Sequence, residues 1–273
     1  MTDHFRNILI LAFPASGKSE ILTFLRGLTD EQRAGLHIGK LVELDDFPCV
    51  DFMFKIDDAR ERQGRQRFLT VHQDTEEGGF VDGSTWDTLD AHLANIYDRT
   101  LLASPRIHEN STIMLECARG GPENARFPLE HGYERTLANL PIELLGKAVV
   151  LYINVTPETS RRKNEERYNP NDPSSILSHM VPRQVMRRDY GCDDIGYLME
   201  KAKTERHEGY IQSPSGLWVP FAFFDNNVDK TSFVRTKNMS PEDKKVAEDN
   251  LYNALKIVLD PLHERMLKDS RNV

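Results

Sequence analysis

Apolar residues cluster in five short runs that predict β-strands. Most of these runs are continuous rather than alternating, which is typical of parallel strands buried on both faces. Stretches with helical spacing of apolar residues separate the runs, so strand and helix alternate along the chain. This predicts an α/β fold, a three-layer sandwich with a mainly parallel five-stranded sheet covered on both faces by helices. The predicted strands are 7–12, 40–45, 112–117, 148–155 and 219–224.

Capping signals mark three helix starts. Ser84 is followed three residues later by Asp87, which predicts a capping box. Thr156 precedes Pro157, as expected for an N-cap followed by proline at the first helical position. Ser240 opens a long terminal helix, which we expect to pack on the sheet and close the fold.

Composition narrows the class of protein. Of the 273 residues, 39% are apolar and 29% are charged, so a buried core is expected. The net charge of −8 argues against broad, nonspecific nucleic-acid binding. The three cysteines lie far apart, and their odd number argues against a disulfide framework, so we expect a cytoplasmic protein. No apolar run reaches the length of a membrane span, so we expect no membrane partner.

The most specific segment is 12–19, which reads Ala-Phe-Pro-Ala-Ser-Gly-Lys-Ser between a predicted strand and a predicted helix. Backbone N–H groups in such a turn point into one concavity and hold phosphate oxygens. Lys18 supplies charge for the outer phosphates, Ser19 offers a hydroxyl ligand to Mg²⁺, and Gly17 allows close backbone approach. The expected nucleotide-binding residues are Pro14, Ala15, Ser16, Gly17, Lys18 and Ser19.

Segment 12–19 resembles the phosphate-binding loop of P-loop NTPases, and Pro14–Ser19 is most similar to the small-molecule and nucleic-acid kinases of that superfamily. Ala12 departs from the usual glycine. The resemblance implies the P-loop NTPase fold, with ATP and Mg²⁺ as cofactors. It further implies that 1–273 form a single kinase-like domain with a C-terminal helix. The resemblance also implies an acceptor-side insertion at about 48–87 and a helical lid at about 162–190.

Asp45 and Asp46 directly follow the second predicted strand. Ligands of open α/β sheets gather at the carboxyl ends of the strands, so these carboxylates fall where a phosphoryl acceptor would sit. One of them could accept the proton of the acceptor hydroxyl. Asp-Asp-Phe at this position is similar to the uridine-kinase and phosphoribulokinase branch. We favour Asp45, nearer the strand end, with Asp46 as the alternative; a surface turn rich in aspartate is the non-functional interpretation.

Glu116 and Arg119 follow the third predicted strand. Four mostly apolar residues and then an acid is the pattern of the second nucleotide-binding element, whose carboxylate binds Mg²⁺ or its water. The usual residue is aspartate, so Glu116 is a departure. Arg119 is a candidate contact to the substrate or a phosphate, in loose similarity to the Glu-Arg-Ser element of deoxynucleoside kinases.

Basic residues follow the helix start at Thr156. Nucleoside and nucleotide kinases share this arrangement, in which arginines leading into a lid neutralise the transferring phosphoryl group. By this resemblance we assign that role to Arg162 and Arg167, with Arg161 and Lys163 as alternatives. Basic residues near a helix C-terminus are also common for purely structural reasons.

Three further candidates are weaker. Arg60 belongs to an arginine-rich helical stretch, 51–67, which is either a solvated face or a basic wall for a phosphorylated acceptor. Asn226 and Asn227 follow the last predicted strand, where similar kinases place a loop against the adenine base, so both are candidates for that rim, mostly through backbone contacts. A plain strand-to-helix turn is the alternative for both.

These observations favour an ATP- and Mg²⁺-dependent phosphotransferase acting on a small molecule such as a nucleoside, nucleotide or sugar. A nucleic-acid acceptor is less favoured because of the acidic balance. A nucleotide-binding regulatory ATPase or switch is the alternative from another class, and a P-loop domain that no longer binds nucleotide is a third. A homodimer stays open, since the sequence does not determine the oligomeric state.

Overall fold

The computed structural model describes residues 4–70, 79–168, 180–236 and 238–269. Six strands form one sheet within these ranges. They are β1 (Asn7–Leu11), β2 (Lys40–Asp45), β3 (Ser111–Cys117), β4 (Ala148–Asn154), β5 (Tyr210–Gln212) and β6 (Trp218–Asp225). Their spatial order is β2-β3-β1-β4-β6-β5.

Helices connect most of the strands. Among the described residues they are α1 (Lys18–Gly27), α2 (Asp30–Ala34), α3 (Phe47–Arg62), α4 (Ser84–Ala103), α5 (Tyr133–Asn139), α6 (Ile142–Leu145), α7 (Pro157–Glu166), α8 (Arg183–Arg188), α9 (Ile195–Thr204) and α10 (Pro241–Asp269). Short 3₁₀ helices cover Ile107–Glu109 and Ser232–Arg235. In this part of the chain, no helix is both long enough and apolar enough to cross a membrane.

The five strands predicted from apolar runs are β1, β2, β3, β4 and β6, and all their mutual pairings are parallel. The predicted five-stranded sheet is nevertheless one strand short. β5 pairs antiparallel with β6 across a tight hairpin, in which the Ser213 N–H donates to the Leu217 carbonyl at 2.9 Å. β6 therefore begins in the hairpin and continues into the parallel sheet, because its apolar residues extend across both.

Alternate residues of each central strand face opposite sides of the sheet. Ile8 and Ile10 join an apolar core with α1 and α10, whereas Leu9 and Leu11 join a second core with α4, α5 and α9. The helical members of these cores include Ile21 and Leu255 on one face and Leu93, Leu137 and Leu198 on the other. The α/β architecture is thus compatible with a three-layer sandwich.

Two predicted helix starts are confirmed. The Thr156 side chain accepts a hydrogen bond from the Thr159 N–H at 3.1 Å and caps α7. Ser240 accepts one from the Asp243 N–H at 3.1 Å ahead of α10. Each cap satisfies an N–H group that the helix itself leaves unpaired.

The predicted capping box at Ser84 is wrong. Gly83 occupies the N-cap position of α4 and makes no side-chain cap, and Ser84 is already the first helical residue. The Asp82 carboxylate accepts the Ser84 N–H at 2.9 Å, an aspartate turn that starts the helix one residue earlier. Asp87 instead forms an ion pair with Arg135 at 2.9 Å.

The expected insertion and lid are described in part. The stretch 48–87 contains most of α3 and the start of α4, and its residues 71–78 lie outside the described ranges. The stretch 162–190 contains the end of α7 and all of α8, and 169–179 lie outside the described ranges.

The cap of α7 can be tested by Thr156→Ala. Loss of the side-chain cap should lower the free energy of unfolding by about 1 kcal/mol. Urea unfolding followed by circular dichroism measures the change. Thr88→Ala is the matched control, because the exposed Thr88 hydroxyl only donates to the Ser84 carbonyl inside α4. Equal losses in both variants would contradict a specific role of the cap.

Candidate functional site

Three neighbouring strands end at the same edge of the sheet. β2, β3 and β1 are adjacent and parallel, so their carboxyl ends lie side by side. Asp45, the last residue of β2, is in register with Glu116 of β3. The chain that leaves β1 enters the segment 12–19, called the 12–19 loop below. The topology therefore brings this loop beside both carboxylates, where ligands of open α/β sheets bind.

The 12–19 loop turns sharply before α1. Ala15 has a φ of 57° and Gly17 a φ of 106°, both in the left-handed region. Gly17 is the N-cap of α1 and has no side chain, so it provides no side-chain hydrogen-bond acceptor for the first N–H groups of α1. A Cβ at Gly17 would lie 2.6 Å from Thr231 Oγ1 and 2.8 Å from Asn226 Nδ2. Both the backbone angle and the close packing therefore require glycine here.

Two side chains from distant elements bond to carbonyl groups of the loop. Ser160 Oγ, on α7, donates to the Pro14 carbonyl at 2.7 Å. Asn226 Nδ2, directly after β6, donates to the Ser16 carbonyl at 2.8 Å. The Ser16 hydroxyl is buried and has no hydrogen-bond partner within the described ranges. Ser19 lies in the first turn of α1 and is partly exposed.

Lys18 reaches back across the loop. Its Nζ donates to the carbonyls of Ala12 at 3.2 Å and Phe13 at 3.3 Å. Desolvation lowers the pKa of Lys18, and the nearby charges of Glu116 and Asp45 act in the opposite direction. The ammonium group thus interacts electrostatically with the two carboxyl groups at the ends of β2 and β3.

These two carboxyl groups are strongly perturbed. Burial raises the pKa of Glu116 to about 8, and the charge of Asp45 adds to the rise while Lys18 opposes it. Burial raises the pKa of Asp45 to about 6, helped by the charge of Asp46 and opposed by the hydrogen bond from the Phe47 N–H. Two desolvated acids side by side disfavour joint ionisation, so added positive charge would be stabilised here.

A buried ion-pair network lies beside this cluster. The Arg119 side chain is 1% exposed, and its Nη1 lies 2.7 Å from Asp46 Oδ2. Its Nη2 lies 2.7 Å from Asp90 Oδ1 on α4, and its guanidinium stands 5.3 Å from the Trp86 ring centre. Asp90 also accepts a hydrogen bond from the Thr136 hydroxyl at 3.1 Å. Arg119 and Asp46 are therefore held by each other, while Asp45 is partly exposed.

Arg60 makes contacts within its own segment. Its Nε donates to the Gln66 carbonyl at 3.0 Å, and its guanidinium lies 4.0 Å from the centre of the Phe68 ring. These contacts do not tie Arg60 to the 12–19 loop.

Arg167, the residue after α7, interacts electrostatically with the start of α1. Desolvation lowers the pKa of Arg167 to about 10. The charge of Glu20, in the first turn of α1, acts against this lowering, whereas the charge of Arg235 lowers the pKa further. Glu20 itself pairs with Arg235 at 2.8 Å. Arg167 Nη2 donates to Asn164 Oδ1 at 3.2 Å. Arg167 therefore lies within electrostatic range of the helix that carries Lys18.

The other basic residues of α7 form ion pairs with acids of α7 itself or of other segments. Arg162 is exposed and pairs with Glu166 one turn along the helix, Arg161 pairs with Glu123 and Glu158, and the buried Lys163 pairs with Asp229. The structure brings none of these three to the cluster of Lys18, Asp45 and Glu116.

Asn226 and Asn227 face different surroundings. Asn226 is fully buried, and its side chain contacts the 12–19 loop. Asn227 is partly exposed, accepts the Thr156 N–H at 2.8 Å and donates to Asp225 Oδ1 at 2.7 Å.

Sequence reasoning missed Ser160, Thr231 and Asp90. Ser160 is one of several polar residues in α7, and Thr231 lies in a polar turn, so no local pattern distinguishes either. Asp90 did carry a signal, because it is a charged residue directly beside Leu89 in the apolar stripe of α4. A charge at such a position indicates a buried partner, here Arg119.

Comparison with known proteins adds little. No protein-family model matches the chain, and no curated protein matches it. A solved structure, that of APE1195, is similar over 94% of this chain and 98% of its own, with 15% sequence identity and a TM-score of 0.33. Identity and TM-score this low do not establish a shared fold or function.

The buried ion pairs of Arg119 predict that Arg119→Met strongly destabilises the folded protein. Two carboxylates would lose their cation in a desolvated site, so the free energy of unfolding should fall by about 3 to 5 kcal/mol. Urea unfolding at neutral pH measures it. Arg135→Met is the matched control, because Arg135 pairs with Asp87 while half exposed, and it should cost about 1 kcal/mol or less. A loss from Arg119→Met no larger than this would contradict the network.

Glu116 predicts a pH dependence of stability. Its folded-state pKa of about 8 lies above the ordinary 4.5, so between these values the folded protein holds a proton that the unfolded chain has lost. Wild-type stability should therefore fall as pH rises from 5 to 8. The free energy of unfolding of Glu116→Gln should fall by about 2 kcal/mol less than that of the wild type over this range, as measured by urea unfolding.

Glu143→Gln is the control for this pH series, because Glu143 is exposed on α6. It should keep the wild-type slope. Identical slopes for wild type and Glu116→Gln would show that Glu116 does not hold the extra proton.

Proposed function

We propose that the chain is an ATP- and Mg²⁺-dependent phosphotransferase with a small-molecule acceptor. The observation that carries the proposal is the position of the 12–19 loop beside Asp45 and Glu116. A sharp turn, an uncapped helix start and a lysine lie next to two desolvated acids at one sheet edge. Phosphoryl transfer requires this combination of an anion site, a metal site and a carboxylate.

The strand order supports a P-loop assignment. β1 lies between β3 on one side and β4 on the other, and the 12–19 loop leaves its carboxyl end. The chain proceeds from β1 to β2 and β3 on one side and to β4 and β6 on the other. β1 is therefore next to a topological switch point, where open α/β sheets bind their ligands.

The loop residues would bind the phosphates of ATP. The first N–H groups of α1 and the positive end of its dipole favour an anion. Lys18 now donates to two neutral carbonyls, and exchange for phosphate oxygens would give shorter, charge-assisted bonds. Pro14, Ala15, Ser16 and Gly17 shape the turn through their backbone.

Ser19 and Glu116 would hold Mg²⁺. The described residues contain no group of three or more His, Cys, Asp or Glu side chains able to hold a metal by themselves, so the remaining ligands would be phosphate oxygens and water. The buried, proton-holding Glu116 fits this role because a divalent charge would favour its ionised form. Bound Mg²⁺ would neutralise charge on the phosphates during transfer.

Asp45 is the better candidate for the base that takes the acceptor proton. It is partly exposed, and its pKa of about 6 brings it closer to the pH at which a base works well. Asp46 is buried and paired with Arg119, so it would hold the end of β2 in place. Among the candidate lid arginines, Arg167 is the one near α1 and is favoured to face the transferring phosphoryl group.

Lys18→Ala tests the nucleotide site. Loss of the lysine should lower ATP turnover at least about 100-fold, while the protein stays folded. Release of labelled phosphate from γ-labelled ATP measures turnover, and circular dichroism reports folding. Lys244→Ala, at an exposed position of α10, should keep the wild-type rate. Unchanged turnover in Lys18→Ala would overturn the proposal.

A screen of nucleosides, nucleotides and sugars with γ-labelled ATP would identify the acceptor class. Asp45→Asn should abolish label transfer, whereas Asp46→Asn should retain more of it. Slow hydrolysis that no acceptor stimulates would instead support a regulatory ATPase.

A further inference from the structure

The Asn226 side chain is committed to the interior. Its Nδ2 donates to the Ser16 carbonyl at 2.8 Å and to Thr231 Oγ1 at 3.0 Å, and its Oδ1 accepts the Lys230 N–H at 2.8 Å. A side-chain amide has two N–H donors, and both are used. The residue is 0% exposed. These bonds leave the Asn226 side chain no free donor for an adenine base, whereas the predicted backbone contact is a separate matter.

The same contacts connect the 12–19 loop to α7. Thr231, which accepts from Asn226, also receives support from Asp229, whose Oδ1 accepts the Thr231 N–H at 3.1 Å. Asp229 pairs with Lys163 of α7, a side chain that is 3% exposed. Ser160 of α7 bonds directly to the Pro14 carbonyl at 2.7 Å. Two routes therefore join α7 to the loop.

Packing around Gly17 leaves little freedom for the loop to shift. Thr231 Oγ1 and Asn226 Nδ2 lie within 2.8 Å of the position that a Gly17 Cβ would occupy. Close-packed surroundings with directional bonds hold a backbone segment in one conformation. The Ser16 carbonyl is thus oriented toward Asn226, and the peptide that joins Ser16 to Gly17 has its orientation set by this bond.

We propose that Asn226 is a positioning residue of the phosphate-binding loop: its bond to the Ser16 carbonyl holds the Ser16–Gly17 peptide so that the Gly17 N–H stays directed to the phosphates. Carbonyl and N–H of a trans peptide point in opposite directions, so fixing one fixes the other. The inference rests on the proposed nucleotide site. It assigns the Asn226 side chain to the polyphosphate rather than to the base.

Titration calorimetry with two ligands tests this assignment. Mg²⁺ with ATP and Mg²⁺ with inorganic tripolyphosphate are each titrated into wild type and Asn226→Ala. Loss of the bond should weaken binding of both ligands by the same factor, roughly tenfold. Asn253→Ala, which removes an exposed amide on α10, should leave both affinities unchanged. Weaker binding of ATP alone would indicate a contact with the base and overturn the proposal, as would unchanged binding of both.

Hydrogen exchange of the free protein provides a test without ligand. Amide exchange in a peptide covering 12–19 should accelerate about tenfold in Asn226→Ala and stay unchanged in Asn253→Ala. Unchanged exchange in Asn226→Ala would overturn the proposal. If the wild type binds neither ligand, the proposed function is wrong. Faster exchange in Asn226→Ala would still show that Asn226 fixes the conformation of the 12–19 loop.

A second variant is needed in case Asn226→Ala does not fold. Thr231→Val is nearly isosteric and removes the hydroxyl that accepts from Asn226. It should weaken the binding of both ligands by one common factor, smaller than that of Asn226→Ala. It should also accelerate amide exchange in the 12–19 loop. An effect on ATP alone, or on neither ligand nor exchange, would overturn the proposal.

Discussion

Compensation of buried charge at the carboxyl edge of the sheet is the constraint on which the candidate site depends. Parallel strands bring Asp45, Glu116 and the 12–19 loop to one edge of the sheet, where burial raises the pKa of both acids. A desolvated carboxylate is costly unless a cation or a proton offsets it. Here Lys18 opposes the shift of both acids, and Glu116 keeps its proton to near-neutral pH.

Arg119 resolves the same problem for a second pair of acids. It lies between Asp46 and Asp90 and makes close ion pairs with both. A buried pair of this kind adds little net stability, but removal of one partner is very costly. The arginine therefore links the end of β2 to α4 and keeps Asp46 away from the role that Asp45 is proposed to fill. Two adjacent aspartates thus acquire different chemistry from their surroundings.

Helix α7 connects the loop to the region proposed as a lid. Its cap at Thr156 sets where the helix begins, and this places Ser160 against Pro14 and Lys163 against Asp229. Arg167 then leaves the helix near Glu20 of α1. The buried bond from Ser160 to the Pro14 carbonyl joins α7 directly to the 12–19 loop.

The sequence by itself was sufficient to predict the strands of the parallel sheet, with their ends placed to within one or two residues. Continuous apolar runs report burial on both faces, and burial is a property of each segment taken alone. It was also sufficient for the caps at Thr156 and Ser240. The cap at Ser84 was misplaced because Asp82 competes for the same N–H group, which the residue pattern does not reveal.

The tertiary structure alone decided which charges meet. The sequence favours Asp45 over Asp46 only because Asp45 lies nearer the strand end, and the tertiary structure adds that Asp46 is paired with Arg119. The sequence identifies Asn226 only as a turn residue, whereas in the fold its side chain, directly after β6, donates to the Ser16 carbonyl. The physical reason is that hydrophobic pattern is local, whereas electrostatic and hydrogen-bond partners come from strands and helices far apart in the chain. The sequence determined the layers of this protein, and the packing of those layers determined the side-chain contacts at its candidate site.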